Sequence, residues 1–122
     1  MSTWDREIFS ADENADFLDE LAQLEPEEVL EAVNDAVLLA ADGASASEEE
    51  TLNGRAAATI AAIWSGAPFS AGEIADAYPF IRSNPGEISE QLSEAAAAVL
   101  EAAQADGTDA AEDIDQFLEA LA

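Results

Sequence analysis

The fold turns on "SEEETLNGRAAATIAAIWSG", residues 47–66. The middle third of the chain, residues 43–82, is nearly neutral and mostly apolar, with its longest apolar run at 56–64, and is read as the element the others wrap around. The apolar run is far short of the roughly 20 residues needed to cross a bilayer. Ser47 with Glu50 forms an S-x-x-E capping box at its start, and Gly66 supplies a stop. Leu52, Ala56, Ile60, Ile63 and Trp64 are its apolar positions. Asn53-Gly54 is a weak point near the start, expected to delay the helix by a turn. The reading is a central apolar helix over about 48–66. A helix so rich in alanine also suits close pairing with a copy of itself.

Outward from this stretch, the other segments read as amphipathic helices. Ser10 with Glu13 predicts a capped first helix with Phe17, Leu18, Leu21 and Leu24 on one face. Pro26 fits the first position of a second, carrying Val29, Leu30, Val33, Val37 and Leu38 and ending before Gly43. After the central helix, Ser70 and Glu73 predict a short helix through Ile74, Ala75 and Tyr78, ended or kinked by Pro79. Asn84, Pro85 and Glu87 predict the start of a fifth, running through Ile88, Leu92, Ala95, Ala96, Val99 and Leu100 to Gly107. Asp109 with Glu112 predicts a last helix bearing Ile114, Phe117, Leu118 and Leu121. No segment shows sustained period-2 alternation. The expectation for residues 1–122 is one all-α domain, a compact bundle of about six short-to-medium helices.

Charge is concentrated in the two outer thirds of the chain, and the middle third is nearly neutral. The chain carries 28 acids against three arginines, Arg6, Arg55 and Arg82, for a net charge of −25. Thirteen of the acids fall in residues 1–42 and ten in 83–122, which leaves five for the middle third. Hydrophobic residues make up 49%, enough for a folded core despite that charge. A surface so negative repels nucleic-acid phosphates and anionic lipids and attracts basic proteins. Nucleic acid and membrane are therefore excluded as partners. With no basic n-region followed by an apolar stretch at the start, the expected location is the cytoplasm. The arginines are expected to tie neighbouring carboxylates.

Carboxylates recur four residues apart, so they stand on one face of their helices and repel one another. Asp12, Asp16 and Glu20 form one such row and Glu27, Glu31 and Asp35 another. Together these six make the candidate partner-binding face, and the partner would be a basic protein. A solvated coat is the plainer reading of the same rows. A sharper one is a decoy, in which helical carboxylates present charge as a phosphate backbone does and fill a basic cleft. Oxygen ligands also suit weak divalent-cation binding. No calcium loop is present, however, and the di-iron helical motif needs a histidine that the chain lacks. No metal site or other cofactor is expected.

Catalysis has little to work with. The chain has no cysteine, histidine or lysine, so a serine nucleophile lacks its usual base. No glycine-rich phosphate loop occurs. The expectation is a protein without enzymatic activity. Trp64, Tyr78 and Arg82 form the one candidate for a small ligand-binding concavity.

The opening residues add a resemblance. In "TWDREIFSADENADFLDEL", residues 3–21, Trp4, Phe9, Asp12, Asp16 and the pair Phe17-Leu18 are similar to the N-terminal signature of a family of small bacterial proteins, the domain of unknown function 4259 family. "RAAATIAAIWSGAPF", residues 55–69, resembles that family's alanine-rich helix ending in Gly-x-Pro. Asp5 stands where the family has a glycine, Phe17 where it has a tryptophan, and Thr59 where an acidic residue is expected. The resemblance implies a small, mainly helical bacterial protein and carries no activity. Trp4 and Phe9 are read as anchors that fold the N-terminal segment across the bundle, Phe9 stapling onto the first turn of the helix that follows.

Overall fold

In a computed structural model, residues 8–9, 11–42, 47–65, 78, 89–105 and 111–121 are described. They form five helices and no strand: α1 (Asp12–Ala22), α2 (Pro26–Asp42), α3 (Glu48–Trp64), α4 (Glu90–Ala105) and α5 (Ala111–Leu121). The all-α expectation holds. The short helix read around Ile74, Ala75 and Pro79 lies outside the described residues, and Tyr78 itself is not helical.

α3 is the hub, packing against each of the other four helices, while α4 also packs on α2 and α5. Its residues Ala56 to Ala62 are all fully buried. Alanine explains how one helix can meet four neighbours, because its small side chain lets every neighbouring axis come close. Buried in its own chain, this alanine face is not presented to a second copy. The volume that alanine leaves is filled from outside by Leu18 and Leu21 of α1, Val33 and Val37 of α2, Leu92 and Leu100 of α4, and Ile114 and Phe117 of α5. Each such side chain contributes about 1.5–3 kcal/mol relative to exposure.

The start of α3 is as the sequence predicts. Ser47 Oγ accepts from the Glu50 N–H at 3.1 Å, and Glu50 Oε1 accepts from the Ser47 N–H at 2.9 Å. The Asn53-Gly54 dipeptide does not delay the helix, which runs unbroken from Glu48. Gly54 is buried, and a Cβ built on it would lie 2.1 Å from Ala40 Cβ and 3.0 Å from the Ala36 carbonyl oxygen. The glycine is there for the crossing of α2 and α3; its low helix propensity is the cost of that approach.

Two other predicted starts are corrected. α1 begins at Asp12 with Ala11 as its N-cap, which makes no side-chain capping bond, so the helix starts one residue beyond the start read from Ser10 and Glu13. The first turn is tied to the segment before it: the buried Asn14 Nδ2 donates to the Ile8 carbonyl at 2.7 Å. Ile8 and Phe9 are buried beside it. Phe9 is thus the anchor expected, whereas Trp4 lies outside the described residues. α4 is capped by Ser89, whose Oγ accepts from the Leu92 N–H at 3.1 Å and whose carbonyl accepts from Ser93. Asn84, Pro85, Glu87 and Ile88 fall outside the described residues, as do Asp109 and the side chain of Glu112. α1 also ends at Ala22, so Leu24 lies beyond its face and is exposed.

Candidate interaction surface

The acids placed by helical spacing all reach solvent. Asp12, Asp16 and Glu20 are exposed on α1, and Glu27, Glu31 and Asp35 are exposed on α2. Glu13, Asp19, Glu25, Glu28, Glu49, Glu90, Glu94, Glu101, Asp115 and Glu119 are exposed too, and Glu50 is half-buried in its capping box. The two rows do not share one setting. α1 packs chiefly on α3 and only slightly on α2. Glu27 and Glu31 instead line a groove of about 370 Å³ with Leu30 and Asn34 of the same helix and with Ser89, Gln91 and Leu92 from the start of α4.

The spacing of the α2 residues explains why they converge. Positions 27, 30, 31 and 34 recur at helical intervals, so they form one stripe along α2. That stripe runs beside the core stripe of Val29, Val33 and Val37. Sequence reasoning found the two glutamates by charge. It missed Asn34, Ser89 and Gln91, which belong to the groove only because α4 packs against α2. Their one local signal was Asn34, a polar residue seven positions from Glu27.

The second candidate group is placed in part. Trp64 is buried, 7% exposed, in the core at the end of α3. Tyr78 packs half-buried against that core, and its hydroxyl donates to Asp19 Oδ1 on α1 at 2.5 Å. The hydrogen bond to Asp19 holds the Tyr78 hydroxyl above its ordinary value of 10.0, with partial burial and the negative charges of Asp19 and Asp16 acting in the same direction. Arg82 lies outside the described residues.

Chemically, the surface offers oxygen acceptors and negative charge. Among the described residues no group of three or more acidic side chains is placed to hold a metal ion, and no helix is long and apolar enough to cross a membrane. Among the described residues two polar side chains are fully buried in the core, Asn14 and Thr59. Thr59, at the position where an acidic residue was expected, donates its hydroxyl back to the Arg55 carbonyl at 2.8 Å, a bond internal to the helix. Among the described residues, Asn14 Oδ1 has no hydrogen-bond partner.

Comparison with curated proteins and with solved structures returns no match. The profile of the domain of unknown function DUF4259 matches residues 2–121, far beyond the two short stretches that first resembled it, and the chain belongs to that family.

Proposed function

We propose that this chain is a non-enzymatic, cytoplasmic bacterial interaction module that engages a basic protein through its carboxylate-covered exterior. The observation that carries the reading is the separation of charge from core. The described carboxylates stand outside on α1, α2, α4, α5 and the first turn of α3, and among the described residues the one basic side chain is Arg55. Carboxylates held in water on a rigid scaffold attract a cationic surface and steer its approach over several ångströms. A carboxylate pair suited to acid–base chemistry needs surroundings that pull its two proton affinities apart. The exposure of these side chains supports binding in preference to such chemistry.

A more specific version is an acidic inhibitor or immunity protein that occupies the nucleic-acid cleft of a basic protein such as a nuclease. The two rows of three carboxylates favour it, since residues four apart rise about 6 Å along the helix and present charge at a regular interval. Immobilising the full chain at low salt, passing lysate of its source over it and eluting with a salt gradient tests the proposal. One basic protein held in stoichiometric amount past about 0.3 M salt, where screening is already strong, is the expected result. A mixture of basic proteins released early in the gradient would overturn it and make the acids a solvated coat.

A further inference from the structure

We infer that the groove between α2 and α4 is where that partner docks, and that it takes a protein segment carrying an arginine next to an aliphatic residue. This rests on the proposal that the partner is a basic protein. The groove differs from the rest of the acidic exterior in combining two chemistries. Half-buried Leu30 gives it an accessible apolar part, with the buried core residue Leu92 in its wall, while Glu27 and Glu31 line it with two carboxylates one helical turn apart. Charge complementarity identifies the occupant. The pair Glu27 and Glu31 is repulsive until a cation stands between them. Exposed Asp35 on α2 and exposed Glu90 and Glu94 on α4 add to the same negative field. Among the described residues, no basic side chain lines the groove.

A guanidinium suits the pair better than an ammonium, because its planar fork donates to two carboxylates at once and is more weakly hydrated. Its hydrocarbon stem lies against apolar surface while the charged head reaches the carboxylates. A neighbouring aliphatic side chain would cover Leu30, which is half-buried. The side-chain amides of Asn34 and Gln91 can meet the peptide backbone of the segment.

Two short synthetic peptides of equal charge, one alternating leucine with arginine and one alternating serine with arginine, test this against the isotope-labelled full chain in about 0.15 M salt. Expected are shifts in the methyl signals of Leu30 and Leu92 and in the side-chain amides of Asn34 and Gln91. The leucine peptide should bind about tenfold more tightly than the serine peptide. The exposed double variant Glu27→Gln/Glu31→Gln should lose about tenfold, whereas Glu101→Gln/Glu119→Gln, at exposed positions of α4 and α5 outside the groove lining, should stay within about twofold. Equal binding of both peptides, with shifts spread over α1 and α5, would overturn the groove while leaving the basic-partner proposal standing. Equal displacement by a linear polyamine would do the same, since charge alone would then suffice. Binding of neither peptide would overturn both.

Discussion

Gly54 of α3 lies so close to Ala40 of α2 that a methyl group on the glycine would overlap the alanine's, with a Cβ–Cβ separation of 2.1 Å. Ala36, one turn earlier on α2, closes the same crossing with its carbonyl oxygen. The contact sets how near α2 comes to the hub helix, and through α2 it sets where Leu30, Glu27 and Glu31 stand relative to α4.

Gly54→Ala should therefore destabilise the fold even though alanine is the better helix former by about 0.8–1.0 kcal/mol. Overpacking a close crossing costs about 1–3 kcal/mol, and here the obstacles include backbone, which cannot swing aside. Urea denaturation is expected to show a net loss. Adding Ala40→Gly should recover part of it, the non-additivity that marks two residues in direct contact. A stabilised Gly54→Ala would mean the helices do not meet there.

Asn14 joins α1 to the segment before it through the Ile8 carbonyl. Asn14→Ala leaves that carbonyl without its donor and should cost about 1–3 kcal/mol. Asn14→Asp should be worse at neutral pH, since a charge would then be buried against a carbonyl oxygen. Burial raises the carboxyl's folded pKa, so the loss should shrink as pH falls and the protonated acid again donates. Denaturation of both variants against the parent at pH 7 and near pH 4 measures the difference.

Tyr78→Phe should lower stability by about 0.5–1.5 kcal/mol through loss of the bond to Asp19. The parent should also lose stability above pH 10. Its Tyr78 keeps its proton in the folded state to a higher pH than in the unfolded chain. That contribution is whole below pH 10.0 and disappears as pH rises through the folded value. Tyr78→Phe should show a flatter alkaline limb, read by thermal melts from pH 8 upward.

The net charge of −25 should make the bundle salt-stabilised. Screening falls from a reach of about 30 Å at 0.01 M to about 10 Å at 0.1 M, which relieves repulsion between helices as well as within them. The melting temperature is expected to rise across that range. A flat or falling curve would mean that the carboxylates are already compensated.

Much of the fold was legible because the local signals agree with one another. The nearly neutral middle third, with its apolar run from Ala56 to Trp64, identifies the hub, Ser47 and Glu50 its start, and Pro26 the start of α2. Reading failed where a tertiary contact overrode a local preference. Gly54 looks like a weak point in isolation and is a point of close approach in the fold. Ser10 has the right chemistry for a cap, yet Asn14's bond to Ile8 goes with a start one residue later. Ser89 caps α4 without an acid three residues on, because Leu92 at that position is needed in the core. The groove was half legible. Glu27 and Glu31 announce themselves by charge, while Ser89 and Gln91 lie some sixty residues along the chain and join them only through packing.

Two sets of neutralising substitutions decide whether the acidic exterior is a binding surface. Once a basic partner has been captured, its affinity should be measured for Glu27→Gln/Glu31→Gln/Asp35→Asn and for Asp12→Asn/Asp16→Asn/Glu20→Gln, with helical content checked by circular dichroism. Both variants should stay folded, the α2 set should lose at least about tenfold in affinity, and the α1 set should lose less. Unchanged affinity in both folded variants would contradict a binding role for that exterior.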